Sequence, residues 1–338
     1  MAAFNLSLPK LQIALNRAWT NSMYNTQFIA NVAALRAQMQ RQNVQLGKGI
    51  TGTGKNAKQI TQTIFWPVAC TNETTACTDE CLVATEVATD DSQDIVLSCL
   101  REAGFVESEK RFRVSPLAYE DVVAHQMLLK MKALDEYLNT QYIAFLEANK
   151  GDHDVYGATL TVGADNAGDW EIPENDWNVA LIPEFLLAME LAQFSNPYIL
   201  DGTNFFTQKA TAMAYSANAD GKGENNLFNQ YDWVQDARSM VTAAPNKTYL
   251  INTNAVAFIT GNFWDVTPVT RAATHKVWKV ASKNLPGVYY DVHYQESCSS
   301  NDFVESWKFR VNGVFALNPL ACDETNTGIF AFEKVTGI

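Results

Sequence analysis

Residues 49–56 read GITGTGKN, with the glycine–x4–glycine–lysine spacing of a loop that cradles nucleotide phosphates. Such a loop works between a buried strand and a helix N-terminus, because backbone N–H groups and the helix end must both meet the phosphates. Here the polar QMQRQNVQLGK precedes it and NAKQITQT follows, and Asn56 stands where a hydroxyl should meet magnesium. The stretch reads as a hinge. Cys70, Cys77, Cys81 and Cys99 crowd into 30 residues, with Cys298 and Cys322 far away. Their C-x6-C-x3-C-x17-C spacing matches no common zinc pattern. Reduced structural thiols, a disulfide formed late and a metal all stay open for them. His125, His153, His275 and His293 are scattered, with no HExxH, no GxSxG and no Cys/His pair of assignable roles. DHDVYG (152–157) and NADGKGEN (218–225) lack the residue order of a calcium loop and read as turns. No catalytic, cofactor-binding or metal-ligating residue is therefore assigned, and the chain is not expected to be an enzyme.

The elements around these residues are more informative. Residues 7–46 read as helix, with Ser7 as cap and Pro9 in the first turn. Phe28, Val32, Leu35 and Met39 mark one apolar face, while Asn31, Gln38, Gln40 and Gln42 make the other polar but uncharged, a surface that can lie on another subunit. Residues 47–62 read as a loop. TIFWPVAC (63–70) and KRFRVSP (110–116) read as the two strands of a long hairpin around an acidic, Thr- and Cys-rich insert, with Pro67 at an edge position. The hairpin has too few apolar residues to hold itself folded alone. Residues 115–151 give the strongest helical pattern, with Ser115 and Pro116 at the start and Gly151 at the end. Leu117, Ala124, Leu128, Met131, Leu134, Leu138, Tyr142 and Phe145 form its apolar stripe. At 1.5 Å per residue this spine is about 50 Å long. Polar turns (163–177), a helix around 183–195, a strand at PYILDG and a helix over 204–217 follow. KTYLINT reads as a strand, and Asn254 caps a short helix, NAVAFITG. VYYDVHYQES alternates as a strand, WKFRVNGVFAL folds back at Asn312-Gly313, and GIFAFEKV closes the chain.

Length, 338 residues, allows two globular units or one elongated unit with extensions, and 47% apolar residues allow a sizeable core. There is no apolar run long enough for a membrane span and no basic-then-apolar leader, so folding in a cytoplasm is expected. The net charge of −12 argues against a free-standing nucleic-acid binder. Residues 1–60 hold seven cations and no acid, so the remainder carries −19. A basic arm on an acidic body predicts attraction between copies of the chain, weakened by salt.

This order of elements resembles the major capsid protein of tailed double-stranded DNA bacteriophages, the Hong Kong 97 fold. The resemblance is carried by FRVSPLAYEDVVAHQMLLKMKALDEYLNTQYIAFLEANKG (112–151), KTYLINTNAVAFITG (247–261) and RVNGVFALNPLACDETNTGIFAFEKV (310–335). It implies an α+β chain with an N-terminal arm (1–48) and an extended E-loop (49–114). A peripheral domain (115–180 with 300–338, spine helix 115–149) and an axial domain (181–299) would follow. It further implies a structural protein that assembles as hexamers and pentamers into an icosahedral head around double-stranded DNA. Arm and hairpin would lie across neighbouring subunits, and the acidic wall would repel the genome mildly. Assembly in the host cytoplasm, location in the virion, a separate scaffold protein, a portal and decoration proteins belong to the same implication. Some relatives join subunits by a Lys–Asn bond, for which Lys55, Lys58 and Lys110 are the lysines in the right region. The rival readings are a bacterial nanocompartment shell of the same fold, a cytoplasmic α/β enzyme, and an adhesin or tail component.

Overall fold

A computed structural model describes residues 8–20, 27–42, 45–46, 60–67, 90–108, 110, 119–151, 160–166, 168–192, 194, 197–209, 232–272, 274–299, 302–317 and 327–336. The chain is α+β. Its axis is the spine helix, which covers Tyr119–Ala148. Its 30 residues are about 45 Å long at 1.5 Å per residue. The stripe expected from the sequence is buried at Ala124, Leu128, Met131, Leu134, Leu138 and Tyr142. Asp135 and Asn139 are buried among them, a polar insertion that apolar periodicity does not announce.

The arm forms α1 (Leu8–Thr20) and α2 (Ala33–Arg41), and the spine is α3. The single helix expected over 7–46 is therefore interrupted, with residues 29–32 outside any helix. The interruption has a cause in the body of the chain. Ala30 N donates to Asn284 Oδ1 at 3.0 Å, and Asn284 Nδ2 donates to Phe28 O at 3.1 Å. These bonds compete for backbone groups that a continuous helix would use internally.

Two sheets flank the spine. The larger has the order β1 (Gln45–Leu46), β2 (Ile60–Pro67), β3 (Asp90–Ser108), β13 (Asp302–Leu317), β12 (Tyr289–Ser299), β11 (His275–Ala281) and β10 (Val269–Ala272), with β9 (Val256–Thr260) also on β13. One of its faces packs on α3. Val292, Tyr294, Trp307 and Phe309 share that core with Met127, Met131 and Leu134. The smaller sheet has the order β4 (Ala164–Asn166), β5 (Asp169–Pro173), β14 (Ile329–Val335), β8 (Lys247–Asn252), β6 (Pro197–Asp201) and β7 (Trp233–Gln235). It is covered on both faces. Tyr198, Leu200, Tyr249 and Ile251 turn toward the spine, whereas Ile199, Leu250, Phe330 and Phe332 pack with Ile182 and Phe185 of α4 (Leu181–Leu191). Two buried faces explain the unbroken apolar runs YIL, YLI and IFAF, while the one-sided larger sheet shows alternation.

Three sequence readings are corrected. The strand returning from the hairpin is β3, a 19-residue strand within the supposed insert. Residues 111–118, where that strand was expected, lie outside the described residues. Residues 256–260 are strand, because Val256 and Phe258 face the main core while Ala257 and Ile259 face a second cluster with Ile95 and Leu97. A short apolar run of this kind has no helical signature of its own. Asn312-Gly313 makes no turn, since β13 runs straight through it with a register shift against β3. Asn312 Nδ2 instead donates to Asp291 Oδ2 at 2.8 Å. Gly313 is required by crowding, because a Cβ there would lie 2.8 Å from Ile259 O.

Candidate functional site

The sequence-singled chemistry disperses. GITGTGKN, Lys55, Lys58, Cys70, Cys77, Cys81, Cys322, His153, DHDVYG and NADGKGEN lie outside the described residues. Cys99 and Cys298 are free and exposed. Lys110 N donates to Asp302 Oδ1 at 3.3 Å. His125 meets Phe28 edge-to-face at 5.0 Å, and burial lowers its pKa. A cavity of about 370 Å³ between α1, α3 and β11 is lined mainly by Leu11, Leu15, Met127, Met131 and Trp278. Among the described residues no group of His, Cys, Asp and Glu is set to hold a metal, and no helix is long and apolar enough to cross a membrane.

Three surfaces remain. The first is the seat of the arm. The first turn of α2 has no cap from its own sequence neighbours. Its free N–H groups are taken by the body: Ala34 N donates to Asp236 Oδ2 at 3.1 Å and Leu35 N to Asn139 Oδ1 at 2.8 Å. Asp236 also accepts from Asn31 and Asn139 and caps α5 (Ala237–Ala243) through Ser239 N. One turn further, Gln38 is fully buried, accepting from Tyr198 at 2.9 Å and donating to Thr253 O and Val256 O. Gln42 takes both backbone groups of Phe258, as a neighbouring strand would. Of the polar stripe read from the sequence as a surface for another subunit, Asn31, Gln38 and Gln42 are folded onto their own chain, while Gln40 stays exposed. The cations follow it. Arg17 pairs with Asp121 and Arg41 with Asp232, and Arg36 donates to Asn284 O. The attraction of arm for body is met within one molecule at these residues.

Beneath the arm lies Asp135, which accepts from Ser282 at 2.8 Å, Asn284 at 2.9 Å and Tyr290. Burial pushes its carboxyl up to about 6 against the pull of those donors. At the far end of the spine, Lys247 lies 2.6 Å from Glu147 and 2.9 Å from Asp169. Burial works against its charge, but the two carboxylates outweigh it and raise its pKa. These clusters bind spine to sheets.

The second surface is the hairpin. β3 continues for about 26 Å beyond its pairing with β13, at 3.3 Å per residue. There, among the described residues, β2 pairs only with β3 and β1. The third is the face of the larger sheet turned away from the spine, covered in part by residues 262–264. His275 and His293, scattered in sequence, stack there at 5.6 Å with 3.3 Å between Nε2 and Nδ1. Arg271 lies over Trp264 at 4.8 Å, and Trp264 meets the His293 ring edge-on. Lys308 stands opposite His293 and Arg310 opposite Asp291. Burial, then His275 and the surrounding cations, pushes His293 down to about 4. The alternation of the strands marked this face as polar. The strand register that brings the histidines together is not written in either strand alone.

The described elements thus define a mixed α+β chain built on a spine, with a body that fastens its own arm and a hairpin that projects. No protein-family model and no curated protein matches it. Among solved structures it is similar to one from Mycobacterium phage Adephagia, at 10% identity and TM-score 0.42 over 92% of this chain and 91% of that one. It is similar to the asymmetric unit of bacteriophage PhiM1 mature capsid, at 10% identity and TM-score 0.42 over 82% and 83% of the two chains. It is also similar to the capsid of Ralstonia phage GP4, at 11% identity and TM-score 0.42 over 88% and 94%.

Proposed function

We propose that this chain is a major capsid protein of a tailed bacteriophage, a structural subunit of the Hong Kong 97 type. Copies would assemble as pentamers and hexamers into a closed head around double-stranded DNA. The observation that carries the reading is β3. It is one strand of 19 residues, paired with β13 from Ser98 to Ser108, resting on β9 through Ile95 and Leu97, and carrying β2 along its N-terminal half. A two-stranded ribbon of this kind is marginal in water and gains stability by lying on another surface. Exposed apolar side chains add to the unpartnered area: Val106 on β3 is 58% exposed, and Leu187 and Leu191, one turn apart on α4, are 56% and 44% exposed. In this reading residues 1–48 are the arm, 49–114 the E-loop, 115–180 with 300–338 the peripheral domain and 181–299 the axial domain. A portal and decoration proteins would complete the particle.

Electron microscopy of the purified protein tests this. Closed particles tens of nanometres across, with nuclease-protected double-stranded DNA when isolated from an infected host, are expected. A monomer at all concentrations would overturn the proposal. Particles that enclose enzymes instead of DNA would favour the nanocompartment.

A further inference from the structure

The cavity between α1, the spine and β11 has a volume of about 370 Å³. That lies within the span of small-ligand pockets, about 300–1,000 Å³, and equals the liquid volume of about a dozen waters at about 30 Å³ each. Burial orders its lining. Leu11, Leu15, Met127 and Met131 are at most 2% exposed and Trp278 5%, so they form the inner wall. Val266, 59% exposed, belongs to the rim. The leucine and methionine walls offer water no strong hydrogen bond, whereas a buried water needs two to four partners. Apolar atoms gain more there than water does.

Two lysines complete the lining, Lys279 and Lys283. In a chain of net charge −12, Lys132, Lys150, Lys247, Lys308 and Lys334 all stand beside carboxylates. Among the described residues Lys283 instead meets only the neutral Asn16 Oδ1, at 3.2 Å. Lys279 reaches Asp265 at 3.8 Å, and that carboxylate is 77% exposed, where solvent screens the pair. An apolar wall therefore adjoins two ammonium groups whose charge is little answered. An anionic oxygen placed between them would accept charge-assisted hydrogen bonds. A carboxylate on an unbranched chain meets both halves of the cavity, and about ten carbons with two oxygens match the dozen water volumes. Methionine walls adapt readily to a flexible chain.

We infer that this cavity binds a medium-chain fatty carboxylate, with the chain against Leu15, Met127, Met131 and Trp278 and the head between Lys279 and Lys283. The inference stands apart from the assembly reading above. Because the lining comes from α1, the spine and β11 together, the ligand would touch all three. It would fasten the first helix of the arm to the body, and by mass action it would stabilise the folded chain.

Calorimetric titration of the unassembled full-length chain with decanoate tests the site. Saturable binding of one decanoate per chain and a raised melting temperature are expected. Decanol, with the same chain and no charge, should bind about tenfold more weakly. K279Q/K283Q should reduce decanoate to the level of decanol and leave decanol unchanged. Met131→Phe, which fills the cavity, should weaken both ligands; should circular dichroism show it unfolded, Ala281→Leu, at the rim, replaces it. Quenching of tryptophan fluorescence by 10-bromodecanoate should shrink in Trp278→Phe. No saturable binding of decanoate to the wild-type chain overturns the proposal. So does equal affinity for decanoate and decanol, or decanoate binding untouched by filling the cavity. Any of these results leaves the capsid reading standing, since particle formation is read separately by electron microscopy.

Discussion

Residues 8–42 and the β1–β2–β3 hairpin both leave the body of the chain, yet one is bound back along its length and the other only at its root. The arm buries Leu11, Leu15, Phe28, Val32 and Leu35 and hands its helix N–H groups to Asp236 and Asn139. The hairpin rests on the body through Ile95 and Leu97, and beyond them, among the described residues, its strands pair only with one another. Opposite net charges do not explain the difference. What separates the two is partner geometry: the arm carries donors and acceptors at the spacing the body offers, while the outer part of β3 pairs with β2 alone among the described strands.

The comparison breaks most sharply at Leu35, which is fully buried between α2 and the spine. Leu35→Ala is expected to cost about 2–5 kcal/mol, as for other core truncations, and to lower the melting temperature of the unassembled chain. A melting temperature unchanged from wild type would mean that the arm is not part of the cooperative unit.

Glu305 tests the root of the sheet. It stands opposite Glu107 on β3 and Glu296 on β12, is 3% exposed, and accepts from Tyr294 at 2.9 Å. Burial first, then the charge of Glu107, raises it to about 7. An unfolded glutamate titrates near 4.3, so between about pH 4.3 and 7 the folded chain keeps a proton that the unfolded chain has lost. Stability from this group is therefore complete at low pH, falls as pH rises through 7, and then levels. The slope is at most about 1.4 kcal/mol per pH unit. Asp135 and Asp201, both raised to about 6 by burial, fall in the same direction but finish earlier. Plots of melting temperature against pH for wild type and Glu305→Gln should diverge between about pH 4.3 and 7 and then run parallel, with the variant flatter. Parallel curves would place no proton on Glu305.

Gln42 gives a smaller effect. Its amide closes the free edge of β9 by taking Phe258 O at 3.1 Å and Phe258 N at 2.9 Å. Gln42→Ala leaves both groups without that partner and is expected to cost about 1–3 kcal/mol. Hydrogen exchange at Phe258 N–H reads it directly, as faster exchange with the rest of β9 little changed.

How far the sequence spoke depends on where each structural cause lies. The spine and β12 were legible because their burial is periodic within the element itself, and β14 because its short apolar run is β-branched and aromatic. Val256–Thr260 was misread because burial on both faces erases periodicity, and only the pairing with β13 makes it a strand. Asn312-Gly313 carries the local signal of a turn, but its glycine answers crowding by Ile259 O and its asparagine answers Asp291. The arm was misread most instructively. Its N-terminal caps, Asp236 and Asn139, lie about 200 and 100 residues away, so no local pattern could announce where α2 begins. The His275–His293 contact depends in the same way on the register between two strands.

The smallest expected effect separates charge from geometry in the arm. Arg17 and Asp121 form an ion pair, but their side chains are 63% and 38% exposed. Exposed pairs contribute about 0–1 kcal/mol, because solvent screens them and side-chain ordering opposes them. Arg17→Ala should therefore leave the melting temperature of the unassembled chain nearly unchanged at any salt concentration. Assembly should also be unaffected, since this cation is answered inside its own molecule and not on a neighbour. If Arg17→Ala instead weakened assembly severalfold, the basic arm would be reaching a second copy after all. The division between a self-satisfied arm and an outward-reaching hairpin would then fail at the arm.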